Sequence, residues 1–231
     1  MAPFTDIVIP YRSNREFPVE AEFTNCVETV TRHTTDFRFL FVDDNSDSVG
    51  AAHISDIAAH FPTSLLITTH SQNWFTKATN KGLRLVRTPR GVTLNCDTIV
   101  DAGWLDEMYE VWDDVEQQTG KPVGLVGSVL SDEEPRRWRC TEPPHFVTGH
   151  CWLLSMNAIN KVSELRGQPG WYLDEINPLC IHIRSDVELS HRLNLMGYQT
   201  VESFKSKVGH LGGRSWGHRL GSIPSTLACD S

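Results

Sequence analysis

Long apolar runs are missing from this 231-residue sequence: none approaches the roughly 18 residues of a bilayer-spanning helix. The opening MAPFTDIVIPYRSN lacks the basic head and apolar stretch of a secretory signal and reads as an immediate strand. A basic excess is also missing. Lysine and arginine number 21 against 29 acidic residues, a net charge of −8, whereas a protein gripping nucleic acid by its phosphates shows the opposite balance. Heptads are absent and the 16 glycines are scattered, which excludes coiled coil and collagen, and 39% hydrophobic residues exclude disorder. The six cysteines contain no C-x-x-C pair. A chain this long buries about 70% of its unfolded surface without covalent staples, so reduced core thiols are expected. Cys140, His145, His150 and Cys151 include zinc-ligand types but lack paired spacing. There is no P-loop and no H-E-x-x-H. Gly213-Arg214-Ser215-Trp216-Gly217 matches G-x-S-x-G, yet too little chain follows it for the aspartate and histidine of a hydrolase.

What is present is an alternation of strand and helix patterns. Asp6-Ile-Val-Ile-Pro10 reads as a buried strand, and residues 19–30 carry apolar side chains at helical spacing. Residues 37–42 make a second strand cut off by Asp43-Asp44-Asn45-Ser46-Asp47, and a helix ending at Pro62 follows. Residues 65–68, 75–86 and 92–94 read as strand, helix and strand. Such alternation predicts βαβ crossovers and a mostly parallel sheet, with ligands at the carboxyl ends of the strands. Beyond it the pattern predicts a helix at 104–115, strands at 123–126 and 146–154, and a charged loop between them at 132–138. Helices at 157–165 and 185–196 and a closing strand at 198–201 complete the reading. No repeat or long linker separates independent domains.

Four constellations can carry chemistry, and each also has an ordinary structural reading. Asp43-Asp44-Asn45-Ser46-Asp47 is either a solvated turn or a carboxylate pair placed to accept hydrogen bonds from ribose or base. Asp97, just past a buried strand and beside Asn95, is a turn or cap aspartate, or a hard-oxygen ligand for a divalent ion that also holds phosphate. Asp186 and Glu188 sit where helix capping is the default; one of them facing a cavity would suit a general base. His210, in Val208-Gly209-His210-Leu211-Gly212-Gly213, is a structural histidine or a metal ligand.

Taken in order, these segments resemble the family 2 glycosyltransferases of GT-A fold, most closely a rhamnosyltransferase-like branch. Phe41-Val-Asp43-Asp44-Asn45-Ser46-Asp47 is similar to V-D-D-x-S-x-D, and Asn73-Trp-Phe-Thr-Lys-Ala-Thr-Asn80-Lys81-Gly82-Leu83 to N-x-G-F-a-x-a-x-N-x-G-L. Leu94-Asn95-Cys96-Asp97-Thr98-Ile-Val-Asp-Ala-Gly103-Trp104-Leu105 resembles L-N-P-D-T-x-V-x-P-G-W-L, and Gly149-His-Cys-Trp-Leu153-Leu154 resembles G-A-x-x-L-I. Ser185-Asp186-Val187-Glu188-Leu189, with Arg192 and Gly197-Tyr198, is similar to E-D-x-D-L-x-x-R-x-x-x-G-Y, and the segment from Val208 to V-x-H-x-G-G-x-S. The similarity runs from about residue 6 to 216. Cys96 replaces the usual proline, Ser185 a glutamate and Glu188 an aspartate.

The resemblance implies an α/β fold: a GT-A, Rossmann-like, mostly parallel central sheet flanked by helices. It implies one domain over residues 1–231, with a nucleotide-sugar half at 1–97 and an acceptor half at 98–231. Pro10, Tyr11, Arg12, Asp44, Asn80 and Asn95 would hold the donor nucleotide, and Asp97 and His210 would bind Mn2+ or Mg2+. Asp186 would be the general base of an inverting transfer from a UDP-, dTDP- or GDP-sugar to an acceptor hydroxyl. That acceptor is a glycan, lipid carrier, protein, small molecule or modified nucleobase, read by the second half and the Arg136–Arg139 loop. A cytoplasmic location is expected, including peripheral contact with a membrane. A non-catalytic nucleotide-sugar-binding module and a nucleotidyltransferase are the competing classes.

Overall fold

The computed structural model describes residues 3–71, 74–128, 136–142, 145–165, 167, 170, 173 and 181–210, without the side chains of 74 and 181–185. The chain begins with β1 (Thr5–Tyr11), α1 (Glu20–His33), β2 (Phe37–Asp43), α2 (Ser48–Ala59), β3 (Leu65–Thr68), α3 (Trp74–Leu83) and β4 (Arg90–Leu94). β5 (Thr98–Val100), α4 (Trp104–Thr119), β6 (Val123–Ser128), β7 (Trp138–Thr141), β8 (Cys151–Ser155), α5 (Met156–Leu165), α6 (Ile181–Leu195), β9 (Gln199–Ser203) and β10 (Val208–His210) follow.

Eight strands form one sheet in the order β3-β2-β1-β4-β8-β6-β9-β7. The expected parallel pairing holds for β1 with β2 and β4, for β2 with β3, and for β6 with β9. β8 and β7 run antiparallel to their neighbours, so the sheet is mixed. Both halves of the chain contribute to this sheet, and the molecule is a single α/β domain. Its order reverses between β1 and β4, the place where a doubly wound sheet opens a crevice beyond its carboxyl ends.

Periodicity explains the helices that cover it. α1 buries Phe23, Cys26, Val27 and Val30, one stripe at 3.6-residue spacing, with glutamates in its first turn and Arg32 and His33 in its last. α4 buries seven residues from Trp104 to Val115, and the Trp104 indole N–H donates to Thr34 Oγ1 at 2.9 Å. α3 lies so close to β1 that a Cβ at Gly82 would stand 2.3 Å from Val8 Cγ1. Asp6, fully buried in the opening strand, takes a structural role: it pairs with Arg38 at 2.8 Å and accepts from the Arg87 backbone N–H.

Several elements differ from expectation. The strand expected from 146 begins only at Cys151, because residues 149–150 form a turn whose backbone is used elsewhere. The end of the charged loop is strand β7, paired with β9. Arg137 on that side bonds Glu107, Glu110 and Asp114, and Arg139 bonds Glu202. These arginines therefore pin β7 to α4 and β9. α6 starts at Ile181, so Asp186 lies in its second turn, and the capping reading of that residue fails. β5 and β10 form a separate two-stranded antiparallel sheet that sequence periodicity does not reveal.

Candidate functional site

The polar segments following β1, β2 and β4 meet at neighbouring strand ends. The Asp44 backbone N–H donates to the Tyr11 carbonyl at 2.8 Å, joining the first two segments. The acidic cluster divides its work. Asp43 Oδ1 accepts from the Ser46 N–H, and Asp47 caps α2 through Val49 and Gly50. Asn45 takes the left-handed conformation that asparagine tolerates. Asp44 is 3% exposed, and its Oδ1 accepts from Thr69 Oγ1 at 3.3 Å. Arg12 is half-buried beside Asp44 and Asp43: desolvation pulls its guanidinium down, and the two carboxylates oppose that. Pro10 is buried. The Tyr11 ring packs on Phe23 with centroids 4.6 Å apart, so it belongs to the core, and burial pushes its phenol up.

Asn80 is also fully buried, and both ends of its amide are engaged. Its Nδ2 donates to the Leu173 carbonyl and its Oδ1 accepts from the Leu173 N–H, each at 2.9 Å. The structure thus gives this asparagine a clamping task across the fold.

The third segment gathers the remaining residues. β10 pairs with β5 so that His210 opposes Thr98, next to Asp97. His210 Nε2 lies 3.1 Å from Asp97 Oδ1, and this hydrogen bond raises the imidazole above its ordinary value. The Asn95 amide nitrogen is 3.4 Å from the same ring nitrogen, and Asn95 Oδ1 is buried with no hydrogen-bond partner among the described residues. The Asn95 N–H donates to the His150 carbonyl at 2.9 Å. One residue earlier, the Gly149 N–H donates to Asp186 Oδ2 at 2.8 Å. A Cβ there would stand 2.6 Å from Asp186 Oδ1, so any larger residue would have to displace that carboxylate. The turn at 149–150 therefore ties α6 and Asp186 to the loop carrying Asn95 and Asp97.

Two residues here escaped the sequence reading of the site. Gly149 and His150 were visible only inside the Gly149-His-Cys-Trp-Leu153-Leu154 motif, and His150 also in the zinc-type set that lacks paired spacing. His150 is 7% exposed and 5.9 Å from the His210 ring. Burial, followed by the charge of His210, pushes its imidazole down to about 4. Glu188 is paired with Arg192 one turn on, a helix-stabilising contact. Asn73 and the glycine-rich segment at 211–216 lie outside the described residues, as does the Ser185 side chain.

The donor set suits a divalent ion. It offers the Asp97 carboxylate, the His210 imidazole and the unpartnered Asn95 carbonyl oxygen. Among the described residues no three His, Cys, Asp or Glu side chains already surround one point.

The family model for glycosyl transferase family 2 matches residues 6–162, and the chain belongs to that family. The match spans β1 through most of α5 and stops before Asp186 and His210. No curated protein is matched by its sequence. Among solved structures the chain is similar to the mannosyltransferase PcManGT from Pyrobaculum calidifontis, in complex with GDP-Man and Mn2+. The TM-score is 0.66 and the identity 14%, over 94% of this chain and 59% of that one. It is also similar to S. aureus TarS 1–349, with TM-score 0.58 and 10% identity over 89% and 58% of the two chains. Likeness at these identities defines the fold, GT-A. The chain spans a little under three-fifths of the length of either structure.

Proposed function

We propose that the protein is an inverting, metal-assisted glycosyltransferase of the rhamnosyltransferase-like branch. It moves a sugar from a UDP-, dTDP- or GDP-sugar to an acceptor hydroxyl. One observation carries this reading furthest: Gly149 holds Asp186 while the adjacent His150 carbonyl holds Asn95, two residues from Asp97. A carboxylate positioned for proton transfer and an oxygen-and-imidazole pair suited to a diphosphate-bound cation are thus linked by two consecutive residues.

In this reading Pro10, Arg12 and Asp44 bound the nucleoside side, with Tyr11 acting through its backbone. Asn80 acts through its clamp on Leu173. Asp97 and His210 would hold Mn2+ or Mg2+; PcManGT, similar in fold, carries Mn2+ with GDP-Man. A bound divalent ion would neutralise the departing diphosphate as a Lewis acid. Asp186 accepts the proton of the acceptor hydroxyl as its oxygen bonds to the anomeric carbon and the nucleoside diphosphate leaves from the opposite face. The single displacement inverts that carbon. Residues 1–97 serve the donor, and residues 98–231 the acceptor. A cytoplasmic location, including peripheral membrane contact, remains part of the proposal; no described helix is long and apolar enough to cross a membrane.

The test is Asp186→Asn, which keeps shape and removes the proton acceptor. Transfer should fall by about 100-fold or more, while donor binding by calorimetry stays as in the wild type. Full transfer by that variant would refute the assigned base. A wild-type protein that binds donor yet neither transfers nor hydrolyses it would favour the binding-module class instead. Release of pyrophosphate would point to a nucleotidyltransferase.

A further inference from the structure

β3 is an edge strand whose four residues are exposed or half-buried, yet Thr69, just past its end, is only 5% exposed. The Thr69 N–H donates to the Asp43 carbonyl at 3.0 Å, carrying the β2–β3 ladder one residue beyond the Asp43–Thr68 pair. On the other side the Asp44 N–H donates to the Tyr11 carbonyl at 2.8 Å. Asp44 therefore sits between its neighbours at the carboxyl ends of three adjacent parallel strands. From the β1 side its carboxylate meets the charge of Arg12. From the β3 side comes Thr69, whose Oγ1 donates to Asp44 Oδ1 at 3.3 Å. That hydroxyl has one proton and a second acceptor, the Ser71 carbonyl at 3.0 Å. A hydrogen bond to an ionised acceptor is about twice as strong as a neutral one, so the carboxylate holds a share of the proton despite the longer distance. Burying a charge is costly unless donors surround it. The rotamer of the Asp44 carboxylate is therefore set by where those donors stand.

We propose that Thr69 is a positioning residue for the donor nucleoside. Its hydroxyl fixes the Asp44 carboxylate in the orientation that accepts hydrogen bonds from the ribose or base. In this role Thr69 acts through Asp44 and contacts neither the sugar nor the diphosphate. The resembled motifs include no residue between Asp47 and Asn73, so the role comes from the fold: parallel pairing brings residue 69 beside residue 44. The inference rests on the reading of Asp44 as a donor-binding residue.

The experiment is calorimetric titration with UDP, dTDP and GDP, each in the presence of Mn2+. It compares wild type, Thr69→Val, Thr69→Ser, Asp44→Asn and the double variant of Thr69→Val with Asp44→Asn, with circular dichroism to establish folding. Thr69→Val keeps the shape and removes the donor. The nucleotide that binds wild type should bind this variant about tenfold more weakly, the scale of one hydrogen bond to a charged group. Thr69→Ser restores the hydroxyl and should bind close to wild type. Adding Thr69→Val to Asp44→Asn should cost little more, because a hydrogen-bonded pair gives non-additive effects, whereas a merely structural threonine would give additive losses. If Thr69→Val does not fold, Thr69→Ala takes its place in the cycle. Unchanged binding by Thr69→Val while Asp44→Asn loses nucleotide, additive losses in the double variant, or no rescue by Thr69→Ser overturns the role of Thr69 and leaves Asp44 in place. Full binding by Asp44→Asn, or none by wild type, overturns the donor reading of Asp44 and this inference with it.

Discussion

Gly149 shows how one missing side chain can leave room for a carboxylate and hold it. Its backbone N–H donates to Asp186 Oδ2 at 2.8 Å, and the space a methyl would take is filled by that carboxylate, 2.6 Å from the ideal Cβ. Gly149→Ala must push Asp186 aside, and the neighbouring backbone is held by Asn95. The expected result is a folded protein whose kcat falls by about 10- to 100-fold, the scale of misplacing a reacting group by about an ångström. Donor KM should stay near the wild-type value. Steady-state kinetics and circular dichroism measure both, and an unchanged kcat would separate Gly149 from the site. Asp186 was legible as a carboxylate at a helix, but its distance from the helix end was not. α6 starts at Ile181, earlier than the apolar spacing indicates. The ring of Tyr11 likewise faces the core because Phe23 of α1 packs on it, a contact between elements that the motif alone cannot show.

Among elements, α2 depends on its cap. Asp47 accepts from the Val49 and Gly50 N–H groups of its own helix and from the Arg15 N–H of the segment after β1. The Gly50 bond is the main cause holding its carboxyl below the ordinary aspartate range. The sign follows from linkage. A depressed folded pKa stabilises the fold above the unfolded value of about 3.9 and loses that contribution as pH falls through the folded value. The melting temperature of Asp47→Asn should therefore sit below wild type at pH 7, with the gap closing below about pH 4. Asp47→Ala, which has no cap at any pH, should melt a few degrees below wild type at neutral pH. Melts from pH 7 to 2.5 decide this, and a gap constant with pH would deny Asp47 its linked role. Long periodic elements such as α1 and α4 were readable because an apolar stripe repeats over several turns. β5 and β10, three residues each, were not: so short a strand has no period, and only pairing defines it.

For the whole molecule, the proposal makes the native state a ligand-binding state. A thermal-shift panel of UDP-, dTDP- and GDP-sugars, each with and without Mn2+, should single out one nucleotide. A donor at 100 times its Kd adds about 2.7 kcal/mol, a rise of roughly 5–10 °C for a chain of this size. The rise should shrink without the ion. A flat response across every donor would remove the donor-site assignment.

The sequence alone determined the strand-helix alternation of the first hundred residues and the placing of polar residues after β1, β2 and β4. Both follow from local physics, since side-chain period and turn chemistry act between near neighbours. Tertiary structure decided which distant residues share the site. His210 reaches Asp97 through an antiparallel pairing across more than a hundred residues, and Asp186 reaches the same loop through the backbone of Gly149 and His150. Such contacts depend on how layers pack and on which buried polar groups must be satisfied, and no local pattern carries that information.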